Sequence, residues 1–477
     1  MKHFLLVILC IFSFHQITCQ DKVTDTPIKL SNSAKSYDFV DKDGNIHFFF
    51  IDRPNMHHLK YDSDLNLLFQ RKYGADIEGR LGFITSQFDI YGFTIDDDEN
   101  INLYLTNLKK AKFLNFKINK KGNFISKLFK LKFKKEDYVT QFNYDNHYYY
   151  ITSSKNSSLL NIYDFHGDNF VRKVLSFEKY PFLNAKDKRV TLNDVLIPDH
   201  DKEVITIIKN DLPNSIETAS NKFKIYQNKN NIELTLDHRN SVTRILKFNL
   251  NNENVSIENF DQPRFKMGNP IYLKSNSFIQ DNRLYQIIIS EKNIVVTITD
   301  RESKKQLKQF EASLKDNLEF ASSPIIVEGG RFEDYRELSK TKQFLNKVAT
   351  SSPGITAYQN DNQLQLNIGV AKTIAGGLPM IGIPGMSVGN IGSVNFTVTA
   401  YSAYTSTRST YVNSILNPEN FKKIDEELKT NIFDLVSDHM EELKLKFKTI
   451  VELDTMFVVA GYDKKNKAYS LIKFEEQ

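Results

Sequence analysis

One pattern returns five times along this chain, at 40–52, 95–105, 142–151, 226–236 and 279–289. Each copy is a strand, a turn rich in Asp and Asn, and a second strand of aromatic and β-branched residues. In the first copy the turn is Asp41-Lys42-Asp43-Gly44-Asn45 and the second strand is Ile46-His47-Phe48-Phe49-Phe50-Ile51-Asp52. Asp, Asn and Gly suit turn positions whose backbone angles most residues avoid, and aromatic and β-branched residues suit a pleated, packed surface. A polar break and a third strand follow at 56–61, 112–118, 158–163 and 243–248, and a fourth strand at 67–73 and 126–133. Repetition of this kind constrains the fold more than any single motif does.

The spacing narrows the choice. The turn residues Asn45, Asn100, Asn146, Asn231 and Asn282 stand 55, 46, 85 and 51 residues apart. A four-stranded propeller blade takes about 40–50 residues. The interval of 85 leaves room for an extra blade or a long insertion, and the apolar strand at 204–208 fits either. The first unit, with Asp43-Gly44-Asn45 running into Ile46 to Asp52 and then Leu59-Lys60-Tyr61-Asp62, resembles the NHL class of propeller repeat, and the other four units resemble it loosely. The resemblance implies an all-β ring of about six to eight blades and no particular activity, because propellers host enzymes and scaffolds alike. Repeat signatures that depend on tryptophan are excluded, because the chain has none.

The two ends suggest how the ring closes. Residues 456–460 and 468–474 form a hairpin about a turn at 463–466 that lacks its fourth strand, and Pro27-Ile28-Lys29-Leu30 is expected to supply it. From about residue 330 the texture changes. The spacing of Tyr335, Leu338, Leu345 and Val348 predicts a helix over 333–348, followed by a strand pair at 355–368, an apolar Gly/Pro/Met-rich stretch from Gly376 to Gly392, and a strand at 394–401. Asn417 as N-cap, Pro418 in the first turn, and Phe421, Ile424, Leu428, Ile432, Leu435, His439, Leu443 and Phe447 on one stripe predict a helix of about 30 residues packed across the propeller. The expected organisation is a signal segment at 1–19, blades over 20–329, and a final blade or blades with helical insertions over 330–477.

The N-terminus predicts export. Lys2 and His3 precede an apolar run from Phe4 to Phe14, and polar character returns at His15 and Gln16. That run is too short to span a bilayer as a helix and has the layout of a secretory signal peptide. No later stretch approaches about 18 apolar residues. Both cysteines, Cys10 and Cys19, lie in this segment. Cleavage after Cys19 leaves a body with no thiol chemistry. Alternatively Cys19 is kept and acylated: Gln20-Asp21-Lys22 has the character of a tether, although Gln16-Ile17-Thr18 is a poor version of the usual preceding pattern. The expected location is periplasmic, cell-surface or secreted. With 63 basic against 58 acidic residues, the net charge of +5 is too weak to imply nucleic acid.

The chemistry-bearing motifs are sparse. Gly385-Met386-Ser387-Val388-Gly389 matches the G-x-S-x-G nucleophile elbow, but the residues after Ser387 read as a strand and the only downstream histidine is His439. The surrounding stretch has no phosphate-cradle spacing and reads as a loop over the body or a contact for a partner or lipid. Asp96-Asp97-Asp98-Glu99 and Asp41 to Asn45 lack calcium-loop spacing and read as solvated hairpin turns. His57 and His58 are adjacent, so they face opposite sides of a strand and do not chelate one metal. Phe129, Leu131 and Phe133 alternate with Lys130, Lys132 and Lys134, which predicts a strand with a lysine outer face that blocks edge pairing or contacts anionic lipid or polysaccharide. No cofactor or metal is expected. The functional expectation is a binding or scaffold module for a protein or glycan partner. The alternative is a polysaccharide hydrolase or lyase with paired carboxylates in the central channel.

Overall fold

The computed structural model describes residues 20–475 except 53–54, 74–88, 108–111, 130, 132, 134, 199–204, 211–212, 266–272, 330–334, 349–350, 361, 374–406, 425–442 and 454–455. Within them the chain folds as a β-propeller. Strand β1 (Gln20–Pro27) precedes the first blade, which is β2 (Lys35–Val40), β3 (Ile46–Asp52), β4 (Asn55–Tyr61) and β5 (Leu67–Tyr73). Blade 2 is β6 (Asp89–Ile95), β7 (Ile101–Asn107), β8 (Lys112–Ile118) and β9 (Phe124–Phe129). Blade 3 is β10 (Glu136–Tyr144), β11 (His147–Ser154), β12 (Leu159–His166) and β13 (Asn169–Ser176). A small hairpin, β14 (Phe182–Leu183) with β15 (Arg189–Val190), and helix α1 (Leu192–Leu196) lead on. Blade 4 has five strands: β16 (Ile205–Ile208), β17 (Phe223–Asn228), β18 (Asn231–Leu236), β19 (Val242–Asn249) and β20 (Val255–Asp261), with α2 (Ile216–Ala219) between the first two.

Blade 5 is β21 (Lys274–Gln280), β22 (Arg283–Ile289), β23 (Asn293–Asp300) and β24 (Gln306–Ser313). Blade 6 is built from β25 (Ile325–Gly329), β26 (Arg336–Leu338), β27 (Ser352–Gln359), β28 (Leu364–Thr373) and β29 (Thr407–Leu416) in the order β26-β25-β29-β28-β27, with helix α3 (Thr341–Val348) in the connection. Blade 7 is β30 (Lys446–Leu453), β31 (Met456–Asp463) and β32 (Ala468–Glu475), completed on its outer edge by β1. The described residues thus form seven sheets of four or five strands. The residue 329/330 division expected from sequence falls between β25 and β26, within one sheet.

Several tight turns share one chemistry. Asp41, Asp62 and Asp96 each accept hydrogen bonds from the backbone N–H and the side-chain amide of the asparagine four residues on, Asn45, Asn66 and Asn100. Asn119 accepts from the Asn123 N–H in the same way. The residue just before that asparagine is left-handed in all four: Gly44, Leu65, Glu99 and Gly122 have φ of 77°, 66°, 60° and 86°. The short polar side chain supplies the bonds that hold the unusual backbone.

Inner strands are buried on both faces because each blade is sandwiched between two others, which is why β3, β11, β22 and β23 are buried along nearly their whole length and carry apolar residues at adjacent positions. Phe48, Phe50 and Tyr61 of blade 1 pack on Val458, Tyr469 and Leu471 of blade 7. The opposite face of blade 1, with Tyr37, Phe39 and Phe49, packs on Leu103, Leu114 and Phe116 of blade 2. Tyr104 and Phe113 then meet Tyr148, Tyr150 and Phe165 of blade 3, and Tyr149 and Ile162 meet Ile225 and Leu246 of blade 4. Blades 4, 5 and 6 share one cluster around Tyr226, Ile287 and Ile355.

Three expectations from sequence are corrected. The closing strand is β1 rather than 27–30: Ile28 and Leu30 are buried between blades 1 and 7 instead. The helix expected over 333–348 is shorter, because Arg336–Leu338 is a strand, Tyr335 is exposed, and α3 starts at Thr341. The long helix does not start at Asn417. Its side chain accepts from the N–H groups of Glu419 and Asn420 in a turn, Phe421 is left-handed at φ 56°, and Phe447 lies in β30. Residues Leu428, Ile432, Leu435 and His439 of that stripe lie outside the described residues, as do Ser387, the stretch from Gly376 to Gly392 and the expected strand at 394–401.

Candidate functional site

The first strands of the blades line the axis of the ring, and ligands of propellers are sought there. Blade 4 departs from the pattern at this point. Strand β16 runs parallel to β17 on its axis side, Ile205 opposite Phe223 and Ile208 opposite Tyr226, so one extra strand stands inside the ring of first strands. The chain then leaves its own blade. Lys209 Nζ lies 2.8 Å from Glu452 Oε2 on β30 of blade 7. Helix α2 packs on β27, β28 and β29 of blade 6. Gly354 of β27 permits the approach, since a Cβ there would stand 3.0 Å from the Ile216 carbonyl oxygen. The Ser409 hydroxyl donates to Glu217. The excursion from 205 to 222 is therefore a strut from blade 4 to blades 6 and 7.

A buried ion pair anchors the foot of this strut. Lys224 Nζ on β17 donates to Asp237 Oδ2 at 3.2 Å, to Asn276 Oδ1 at 2.5 Å and to the Asn221 carbonyl at 2.6 Å, and both charged side chains are fully buried. Asp237 also accepts from the Ser277 N–H and hydroxyl and from the Thr243 hydroxyl. The Asn276 amide donates to the carbonyls of Ser220 and Pro353, tying β21 to the end of α2 and to β27. Burial lowers the Lys224 pKa, and the Asp237 carboxylate opposes that shift. Three donors on the ammonium and three further bonds on the carboxylate make this a satisfied network, so its chemistry is to hold three blades in register.

The described carboxylates on the first strands are also engaged. Glu136 accepts from the hydroxyls of Thr152 and Tyr163 and from Arg172. Asp137 takes Lys155 and the Asn193 amide, and Glu452 takes Lys209. Asp38 is buried on the face of β2 that meets blade 7. Burial raises its pKa to about 7, and a hydrogen bond to Thr449 on β30 opposes the rise. A carboxyl whose folded pKa lies above its unfolded value near 3.8 is stable while protonated, and its contribution is lost as pH rises through 7. Asp38→Asn is therefore expected to raise stability at pH 8 by up to about 4 kcal/mol and to leave it unchanged near pH 4. Denaturant midpoints of both proteins across that pH range check this, and a constant difference would assign the effect to packing.

Blade 1 carries a second buried polar chain, on the face toward blade 2. His47 Nε2 lies 3.1 Å from Asp41, its Nδ1 lies 2.9 Å from His58 Nε2, and His58 Nδ1 lies 3.4 Å from the Tyr73 hydroxyl. With both imidazoles neutral, one proton arrangement satisfies every link: Tyr73 donates to His58, His58 to His47, and His47 to Asp41. Burial lowers the pKa of both histidines. The rings stack among Phe39 and Phe49. His57, on the other face of β4, takes no part in the chain.

The remaining expected positions resolve simply. Asp96 is held by Asn100 and by Lys117 at 2.8 Å, as the hairpin reading requires. Phe129 ends β9 and is buried, while Leu131 and Phe133 pack on the cluster between blades 2 and 3. Lys130, Lys132 and Lys134 lie outside the described residues. Among the described residues no cluster of His, Cys, Asp and Glu is placed to hold a metal ion, and no helix is long and apolar enough to cross a membrane. The strut and the Lys224–Asp237 pair were missed at the sequence level. The signals available were the 85-residue interval between Asn146 and Asn231 and the apolar strand read at 204–208, which is β16.

No family model and no curated protein matches the chain. Solved structures similar to it include the propeller of Dos1, at 8% identity and a TM-score of 0.29 over 95% of this chain and 83% of that one. The β-propeller domain of Nup133 from Vanderwaltozyma polyspora is similar at 9% identity and a TM-score of 0.27, over 72% and 84%. The Aleuria aurantia lectin, solved with alpha-methyl-L-fucoside, is similar at 9% identity and a TM-score of 0.24, over 72% and 90%. The propeller assignment rests on the order of the sheets and the closure by β1. The NHL-like character of the first unit rests on its residues alone.

Proposed function

We propose that this protein is an exported propeller that works as a binding or scaffold module for a protein or glycan partner. The observation that supports this best is the treatment of charge near the axis. Glu136, Asp137 and Glu452 are bound by the protein's own donors, and the strut carrying β16 and α2 enters the space where a channel enzyme would hold paired carboxylates. Such a construction favours a rigid platform whose connecting segments and outer surfaces meet the partner. The apolar run from Phe4 to Phe14 supports export, and Cys19 followed by Gln20-Asp21-Lys22 supports a lipid anchor as one form of it.

The test pairs a glycan array and cross-linking in the native envelope with an assay for new reducing ends on the same polysaccharides. Saturable binding of one glycan class, or one cross-linked envelope protein, without bond cleavage is the expected result. Turnover of a polysaccharide that survives purification to homogeneity would replace this reading with the enzymatic one. The mass of the N-terminal peptide from the native host decides the location: a start at or beyond Gln20 without a leader, or an acylated Cys19, supports export, and an intact Met1 overturns it.

A further inference from the structure

We infer that the outer rim of blades 1 and 2 docks on an anionic lipid surface. Three observations meet there. The first is charge. Residues 109–135 contain eleven lysines and no Asp or Glu. Residues 112–129 of this stretch form β8 and β9, the two outer strands of blade 2, and the turn between them. Lys117 pairs with Asp96 and Lys120 with Glu99, while Lys127 Nζ donates to the Asp168 carbonyl, so Lys127 keeps its charge uncompensated by a carboxylate in that bond. Beside them, β5 of blade 1 carries Arg71 and Lys72 and no acidic residue. The outer strands β20 and β24 on the other side of the ring carry Glu258, Asp261 and Glu311 against the single Lys308.

The second observation is apolar exposure on the same strands. Ile125 is 71% exposed and Leu128 52% on β9, and Leu67 and Leu68 are 42% and 51% exposed on β5. Lysine on an outer strand is enough to block edge pairing, and aliphatic side chains held in water beside it work against that purpose. Interleaved lysines and aliphatic tips suit a membrane, where ammonium groups meet anionic headgroups and short apolar chains enter the acyl boundary. A soluble polyanion would use the lysines and leave the aliphatic tips without a partner.

The third is continuity. The two rims are joined, since Arg71 donates to the Lys120 carbonyl at 3.1 Å and packs beside Gly122. Gln70 in turn donates to the Pro27 carbonyl at the end of β1, the outermost strand of blade 7. That strand begins one residue after Cys19, so a lipid on Cys19 would leave the body from the neighbouring rim.

The experiment is co-sedimentation of the body, residues 20–477, with vesicles of phosphatidylcholine alone and of phosphatidylcholine with one third phosphatidylglycerol, at low and high salt. Two variants accompany it, Lys121→Glu/Lys127→Glu and Ile125→Ser/Leu128→Ser. All four positions are exposed, and unchanged thermal unfolding confirms that both variants fold. The expected result is binding to the anionic vesicles alone, reversed by salt, and weakened about fivefold or more by each variant. No binding to anionic vesicles overturns the inference. So does binding lost with the lysine variant but kept by Ile125→Ser/Leu128→Ser and displaced by soluble heparin, because that pattern belongs to a polyanion site. Aggregation of the lysine variant with unaltered vesicle binding assigns those lysines to edge protection and overturns it too.

Discussion

Asp237→Ala is expected to cost about 3–5 kcal/mol, among the largest losses available to a single substitution in this protein. The ammonium of Lys224 is completely buried and would keep only the Asn276 and Asn221 oxygens as partners. Its pKa is already lowered by burial, with the Asp237 carboxylate acting against that shift, so removal of the carboxylate favours deprotonation. The Ser277 and Thr243 hydroxyls and the Ser277 N–H lose an acceptor in the same step. Lys224→Met should cost a comparable amount, because it strands the carboxylate. The double variant Lys224→Met/Asp237→Leu should lose less than the sum of the two, since an apolar pair has no unpaired charge to bury. Denaturant midpoints for the three variants form the cycle. Additive single losses would show that the pair is not coupled, and a near-neutral Asp237→Ala would remove its role as the anchor of the strut.

The expected site of failure is specific. Asn276 reaches from this pair to Ser220 and Pro353, so loss of the network should loosen α2 and the first strands of blades 4 to 6 before blades 1 to 3. Amide exchange in Asp237→Ala should rise around 205–222, where the chain has left its own blade, while β3 and β11 keep their protection.

Much of the architecture was legible because the repeat is written in residues with only one good use. Asp41, Asp96 and their asparagines marked turns, and Phe48 to Phe50 and Tyr148 to Tyr150 marked strands, which the structure buries on both faces. The strand at 67–73 was read with the bounds it has in the structure. Failures cluster where one residue type serves two geometries. Asn417 can cap a helix or brace a turn with the same side-chain oxygen, and Phe421 settles the matter by its left-handed backbone. The closing strand was sought in the apolar Ile28 and Leu30, but an outermost strand is half solvated, so the polar run from Gln20 to Pro27 is the better composition for it. The strut was illegible for another reason. The segment that carries a parallel strand on the axis side of β17 is specified by contacts with Glu452, Ser409 and Gly354, all more than 100 residues away. Lys224 and Asp237 look like surface residues until the blades that bury them are in place.

Removing residues 20–34 should lower the melting temperature by about 5–10 °C. Strand β1 supplies the fourth strand of blade 7 from the opposite end of the chain, and its register with β32 runs from Gln20 opposite Phe474 to Pro27 opposite Ala468. The Ser470 hydroxyl donates to Asp25 at 2.6 Å, Thr26 and the Tyr61 hydroxyl are 2.6 Å apart, and the Ile28 N–H donates to the Lys467 carbonyl. The truncation also strips Ile28, Leu30 and Ala34 from the cluster between blades 1 and 7. A soluble peptide of residues 20–34 should recover part of the loss, because the edge of β32 is left open as a template. If the melting temperature of the truncated chain matched that of the whole, the ring would be held by the packing between blades alone and β1 would be dispensable. If the peptide restored it, the two ends of the chain would be shown to close one body, with the segment after Cys19 as its latch.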